Sequence, residues 1–261
     1  MRNAFAVTIV FLMTVGTYGY AFDRIVIEKA KTLGECEDCN FEKADLKGED
    51  LRNIKFDGSN FIDSDLTGSK LEDCGECDFT QANLTNTDMV KASLDEAIFV
   101  KADLTSAHLT GAYIHKGNFS NANLTGAEMK KVNVEKGKFI GANLASTDFS
   151  GAKLKDADFT DAKLRESNFS FADLSSVNFN GMDLSGLNFK GAVFHGTILV
   201  GTNLTKTDFT GADLSSSKYS FTMVYDNSTA NGRLIETFAP ISCADLKNAG
   251  AIYSESTKCA K

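Results

Sequence analysis

Residues 97–126 read A-I-F-V-K, A-D-L-T-S, A-H-L-T-G, A-Y-I-H-K, G-N-F-S-N, A-N-L-T-G. A small residue opens each group of five, and a large apolar residue stands third. The frame extends in both directions. Phe79, Leu84, Met89, Leu94, Phe99 and Leu104 follow one another at steps of five, and the series continues to Leu214, Tyr219 and Val224. Neither the helix period of about 3.6 nor the strand period of 2 generates this spacing. It belongs to a repeat architecture in which each group supplies one corner. The large residue and the small one two places earlier point inward, the small one leaving room for its neighbour as close packing requires. The other three positions face water, and Ser, Thr and Gly among them suit tight turns.

A second period of twenty lies over the first. Phe79, Phe99, Phe119, Phe139, Phe159 and Phe179 form one series, and Leu84, Leu104, Leu124, Leu144, Leu164 and Leu184 form another. Four groups of five therefore make one coil, and like residues stack from coil to coil as a Phe ladder and a Leu ladder. With a rise of roughly 4.8 Å per coil, the stretch from Phe41 to Val224 predicts about nine coils and a rod on the order of 40 Å long.

The segments A-D-L-T-S (102–106), A-N-L-T-G (122–126) and A-D-F-T-D (157–161) resemble the pentapeptide-repeat family. That resemblance implies an all-β fold, a right-handed quadrilateral β-helix, over residues 41–226. Such a solenoid is stabilised by nearest-neighbour stacking and leaves open backbone edges at its ends. Residues 22–40, with Asp23–Ala30 as a short helix or strand, are expected to cover one end. Residues 227–261 are expected to cover the other, with a helix over Ala244–Ala249 after a Ser242-Cys243 start.

Residues 1–21 carry the marks of a secretory signal peptide: Arg2, the apolar run Ala4–Val15, and Gly19-Tyr20-Ala21 as the small-residue site. The run is short for a membrane span. Cleavage after Ala21 would leave a mature chain starting at Phe22, periplasmic or extracellular and without stable membrane insertion; a retained anchor is the alternative.

Six cysteines fall in three pairs, Cys36/Cys39, Cys74/Cys77 and Cys243/Cys259. An even number in an exported chain points to disulfides. The first two pairs sit in the repeated phrases Leu33-x-x-Cys-x-x-Cys-Asn-Phe41 and Leu71-x-x-Cys-x-x-Cys-Asp-Phe79. In both, the second Cys takes the small inward place and eight residues separate Leu from Phe, so the phrases mark breaks in the step of five. Similar C-x-x-C motifs open exported members of the family, which implies a structural role. A redox dithiol and a four-thiolate zinc site are the competing readings. Two coils between the motifs would place them near 10 Å apart, too far for one metal. A bridge closing the tail loop between Cys243 and Cys259 is worth about 3 kcal/mol.

The net charge of −8 lacks the basic stripe of a nucleic-acid binder. No phosphate loop or nucleophile elbow occurs. His108, His115 and His195 are too far apart on the frame for a metal triad, so no catalytic residue, cofactor or metal is expected. The sequons at Asn83, Asn123 and Asn203 are generated by the repeat itself. The outward residues Ile98, Val100 and Ile140, with Ile198 and Val200 farther along, form a candidate docking strip. The sequence thus predicts a non-enzymatic exported scaffold with a protein partner, and a homodimer through an end or a face is open. Two alternatives stand beside it: a topoisomerase-binding DNA mimic, as other members of the family imply, and an envelope thiol oxidoreductase using the C-x-x-C pairs.

Overall fold

The computed structural model describes residues 19–226, 233–239 and 241–259. The signal segment up to Tyr18 lies outside the described residues. Between Glu35 and Lys218 the chain winds through corner after corner, and most corners have the form of a type II turn. The N–H of the small residue donates to the carbonyl of the large one three places back, as in Ala102 to Phe99 at 3.1 Å. The third residue of the turn has a left-handed φ: +58° at Lys101, +55° at Ser106 and +72° at Gly111. Type II turns demand that conformation, and here non-glycine residues adopt it repeatedly because the coil on either side fixes it.

The Asp or Asn before each large residue has a local task. Its side-chain oxygen accepts the N–H two residues on, as in Thr80 to Asp78 at 2.9 Å and Thr160 to Asp158 at 2.9 Å. That N–H faces out of the turn, and an outward polar group that satisfies it locally is the reason for Asx in the template. Adjacent coils are joined at each side by a single parallel bridge, such as Ile98↔Asn118 and Asn118↔Lys138. The hydrogen bonds run both ways, from Phe99 N–H to Asn118 O at 2.7 Å and from Asn118 N–H to Ala97 O at 3.0 Å. The sides of the coil are so short that they form bridges rather than strands.

The interior is a column of side chains. The ladder Phe79, Phe99, Phe119, Phe139 and Phe159 stacks at centroid separations of 4.7–5.1 Å, and Phe179 continues it at 5.7 Å. It begins earlier than Phe79, since Phe41 and Phe61 stack beneath it at 5.0 Å each. Leu84, Leu104, Leu124, Leu144, Leu164 and Leu184 are all buried. A second aromatic ladder, Phe149, Phe169, Phe189 and Phe209, rises opposite the first. The two ladders meet edge to face, for instance Phe139 and Phe149 at 5.6 Å.

The coil register departs from twenty once. Lys55↔Asp73, Asn60↔Asp78, Asp65↔Asn83 and Lys70↔Asp88 are bridges across eighteen residues, and twenty returns at Asp73↔Ser93. Two residues are missing from the side between Leu71 and Cys74, and both of these residues are buried.

The ends differ from the sequence expectation in extent. Helix α1 spans Gly19–Leu33 and lays Ile27 and Ala30 on the core. Gly34 (φ +77°) ends it, with its N–H on the Ala30 carbonyl at 2.7 Å. The first bridge is made by Glu35, so the coils start before Phe41. At the other end the frame of five continues in the sequence to Val224, but the backbone leaves the solenoid at Ser220. There it enters a hairpin of β1 (Ser220–Asp226) and β2 (Arg233–Ala239), in which Val224 opposes Ile235. Helix α2 (Cys243–Asn248) follows, capped by Ser242 and Asp245 in a capping box, with Leu246 buried. The tail then returns to the solenoid. Ile252 bridges Asp208 and Lys258 bridges Asp213, so residues 250–258 occupy the place of a further coil on two sides.

Phe139 is fully buried between two stacked rings. Phe139→Ala is expected to cost about 3–5 kcal/mol, measured by denaturant unfolding; an unchanged midpoint would remove the ladder as the source of stability. A second expectation concerns the tail. Burial works to raise the Asp213 pKa, but hydrogen bonds from the Ser215 hydroxyl, the Lys258 ammonium (2.9 Å) and the Ser215 N–H outweigh it and hold the carboxyl well below the usual range. A depressed native pKa adds stability above the unfolded value of about 3.9, and this is lost as pH falls toward the native value. Acid melts should therefore show the parent losing more of its midpoint below about pH 4 than Asp213→Asn does, and parallel curves would remove this carboxylate from the acid response.

Candidate interaction surface

The C-x-x-C motifs lie at one corner, two coils apart, since Glu35 bridges Lys55 and Lys55 bridges Asp73. Cys36 and Cys74 fill the large inward position, and Cys39 and Cys77 fill the small one. Each pair forms a disulfide across its own turn, Cys36–Cys39 and Cys74–Cys77. The second phrase does mark the register break; the first marks instead the junction of α1 with the first coil. Ser59 occupies the same corner between them, donating to Cys36 O at 2.7 Å and accepting from Cys39 N–H at 3.0 Å. Cys243–Cys259 ties α2 to the end of the tail.

The candidate docking strip does not form an apolar surface. Ile98, Val100 and Ile140 are half-buried rather than exposed, as are Ile198 and Val200. Their column neighbours are polar: Asp78 and Asn118 flank Ile98, and Ser120 and Thr160 stand one coil either side of Ile140. A lone β-branched residue on a strand-like side is a matter of propensity and packing. The exposed large apolar residues on the coils are Val90, Tyr113 and Phe171, which lie on different coils and do not adjoin. The histidines are scattered, each beside a carboxylate of an adjacent coil: His108 and Glu128 at 3.5 Å, His115 and Asp95 at 3.3 Å, His195 and Asp213 at 3.6 Å. Among the described residues no cluster of His, Cys, Asp or Glu could hold a metal ion, and no helix is long and apolar enough to cross a membrane.

One side carries an ordered polar array. Thr67, Thr85, Thr105 and Thr125 succeed one another coil by coil, and their hydroxyls donate to Asp65, Asn83, Asp103 and Asn123 at 2.6–2.7 Å. Asn143 and Asn123 also reach back one coil, each to a Thr hydroxyl at 2.8–2.9 Å. The Thr column ends at Ala145, and one coil on Lys163 and Arg165 take the two outward places.

At those residues the solenoid is parted. One coil lower, the N–H groups of Phe139, Gly141, Leu144 and Ser146 donate across to Asp158, Thr160, Lys163 and Arg165 at 2.7–2.9 Å. The corresponding N–H groups of Phe159, Asp161, Leu164 and Glu166 make no such bond to the next coil, nor do Asn178, Asp183 and Asn188 donate back. The bridges that would pair Asp158 with Asn178 and Lys163 with Asp183 are missing from an otherwise regular series. The turns on both lips are intact, as Ala162 N–H to Phe159 O (2.9 Å) and Met182 N–H to Phe179 O (3.0 Å) attest. The far sides stay bonded through Leu154 to Asp173 and Phe169 to Asn188. The opening is a cleft of about 970 Å³, and the Phe159–Phe179 stack loosens beside it to 5.7 Å and 25°.

The two coils differ in their small inward positions. Val177, Met182 and Leu187 occupy three successive small inward positions, where the lower coil has Ala157, Ala162 and Ser167. Val177 and Leu187 are buried, while Met182 is left half-buried at the cleft. Extra methylenes in a close-packed corner push its walls apart. Three large residues in the small column are the signal of this opening in the sequence, one that the periodicity of the large column does not carry.

Family models for the pentapeptide repeat region match residues 112–189, and models for pentapeptide repeats in eight copies match residues 35–73, 73–111 and 188–218. The chain therefore belongs to the pentapeptide-repeat family, and its solenoid is a right-handed β-helix. No curated protein matches it. Among solved structures it is similar to QnrB1, a plasmid-mediated fluoroquinolone resistance protein, at 24% identity over 60% of this chain and 80% of that one, TM-score 0.44. It is also similar to HetL, involved in heterocyst differentiation regulation in the cyanobacterium Nostoc, at 21% identity over 89% and 92%, TM-score 0.29. A pentapeptide repeat protein of the Arabidopsis thaliana thylakoid lumen is 32% identical over 40% of this chain and 65% of its own, TM-score 0.25.

If oversized corner residues hold the cleft open, Met182→Ala with Leu187→Ala should close it. Hydrogen exchange at Phe159, Asp161, Leu164 and Glu166 would then slow to the level of the coil below, and unchanged exchange there would sink the overfilling account.

Proposed function

We propose that this chain is a non-enzymatic, exported scaffold that binds another protein through the faces of a rigid quadrilateral β-helix of about nine coils, with α1 and the tail as its caps. The observation that carries it is the outer surface, where side chain after side chain is fixed by a hydrogen bond to its own turn. Such a surface is preorganised, which lowers the ordering cost of recognition. Export is supported by the signal-like segment ending at Ala21 and by three paired disulfides, which persist in oxidising compartments. Thiol exchange is the weaker reading: a reactive sulfur must be reached, and Cys74 and Cys77 are fully buried, which leaves only the half-buried Cys36 and Cys39. Topoisomerase mimicry draws on the net charge of −8. Against it, carboxylates are matched by lysines of neighbouring coils, as in Lys47 to Asp65 and Lys116 to Glu96, and an exported chain would not meet a cytoplasmic enzyme. A homodimer through one end would use Ile25 and Leu33, which α1 leaves exposed.

Fractionation of the native source should place the chain in the envelope or medium, starting at Phe22 and without free thiols. Crosslinking there should capture a protein partner. Recovery from the cytoplasm with Met1 retained, or stoichiometric inhibition of gyrase supercoiling, would replace this proposal with the mimicry reading.

A further inference from the structure

We propose that the parted corner is a hinge, at which the coils from residue 177 onward swing as one body against the coils up to residue 167. The motion makes two of the four sides adjustable and leaves the other two fixed. It goes beyond the scaffold reading, in which the faces of a single rod bind a partner. The layer concerned keeps its inter-coil hydrogen bonds on two adjacent sides and lacks them on the other two. The unbonded sides carry Phe159 under Phe179 and Leu164 under Leu184. On the bonded sides Phe169 N–H donates to Asn188 O at 2.8 Å and Leu154 N–H to Asp173 O at 2.9 Å. Those sides meet at the corner of Phe171, where Gly151 N–H donates to Ser170 O and Phe171 N–H to Lys190 O, each at 2.8 Å. The parted corner, Ala162 under Met182, lies diagonally opposite. Bonds gathered about one corner of a square leave rotation about that corner as the soft motion, with the widest opening at the far one. The rings follow the same pattern: Phe149–Phe169 and Phe169–Phe189 on a bonded side stack at 5.1 and 5.3 Å, against 5.7 Å for Phe159–Phe179.

The bonded corner is built unlike the others. Among the described non-glycine residues with left-handed φ, Phe171 (φ +59°) is the one apolar side chain. Its ring lies over Gly191, close enough that a Cβ on that glycine would come within 2.6 Å of it. Swinging the far corner open presses this corner together, so the ring on Gly191 limits the opening.

Two opposed effects of similar size act at the far corner. Closing restores inter-coil bonds to the N–H groups of Phe159, Asp161, Leu164 and Glu166, which lack them in the open form. It also drives Val177, Met182 and Leu187 together in the small inward column. The net worth of several main-chain hydrogen bonds and the cost of overfilling a close-packed corner are of the same order. Charge does not oppose closing: it sets Asp161 against Gly181, Lys163 against Asp183, Arg165 against Ser185 and Glu166 against Gly186, so no like charges meet. Neither form excludes the other, and the population shifts with whatever binds one of them better. A partner lying across the opening on the Phe159 or Leu164 side touches both bodies and sets the angle between them. A partner on the bonded sides meets nearly the same surface at every angle.

The test uses the full chain with nitroxide labels on introduced cysteines, since the native ones are all paired. Thr105→Cys with Thr205→Cys labels the Leu164 side on either side of the opening. Val90→Cys with Lys190→Cys labels the adjacent bonded side, whose bridges run unbroken from Asp88 to Asn188. All four are outward turn residues away from the cleft. Each pair is separated by five coils, roughly 24 Å at the usual inter-strand spacing. Pulsed electron–electron double resonance should give a distance distribution about twice as wide for the first pair as for the second. Equal widths, narrow or broad, would overturn the hinge: two narrow distributions describe a corner fixed in place, and two broad ones a chain loose throughout. Capture of an envelope partner by the faces does not depend on either width, so the hinge and the scaffold reading fail separately.

Discussion

Everything in this molecule depends on the hydrogen bonds between one coil and the next. A single turn of the solenoid has no core of its own; its Phe and Leu side chains are covered only because another layer lies above and below. The inter-coil bonds set that spacing, and the spacing in turn allows rings to stack at about 5 Å. Type II corners make the bonds possible by turning each side into line, at the cost of left-handed φ at residues such as Lys101 and Phe171. The outer Asx residues then quench the N–H groups that the corners leave facing outward. Inward packing, corner conformation and outer polarity are thus solved together by one five-residue phrase.

Where the phrase is altered, the structure changes in a way the alteration explains. Two residues are absent near Leu71, and the stack tolerates it because Leu71 and Cys74 both reach the interior and a disulfide spans the corner that follows. Three enlarged inward residues, Val177, Met182 and Leu187, are not absorbed; the solenoid opens at their corner instead. The difference is physical. A shortened side still presents the same backbone groups to its neighbours, whereas an overfilled corner holds those groups out of reach.

Most of the solenoid was legible because its signal is redundant: Phe99 to Phe179 repeat one message five times. The lower part of the Phe ladder, Phe41 and Phe61, was hidden by the eighteen-residue coil, which shifts their numbers out of phase with Phe79. Val224 misled for the opposite reason. It falls on the frame by position, but Ser220–Asp226 pairs with Arg233–Ala239, and a partner brought from farther along the chain is invisible to periodicity. The strip of Ile98, Val100 and Ile140 is interrupted because polar residues such as Asp78, Asn118 and Thr160 stand one coil away. The cleft is written in the small column, at Val177, Met182 and Leu187, and leaves no mark on the large one.

The tail has a consequence for biogenesis. Residues 250–258 lie on the last coil and shield part of its upper rim, yet a ribosome makes them after every layer they protect. For that interval the newest rim is bare and can template a foreign strand as readily as its own. A chain cut short before Ile252 would keep that rim permanently. The Cys243–Cys259 bond ties α2 to the end of the tail, so it holds this cover in place over the rim.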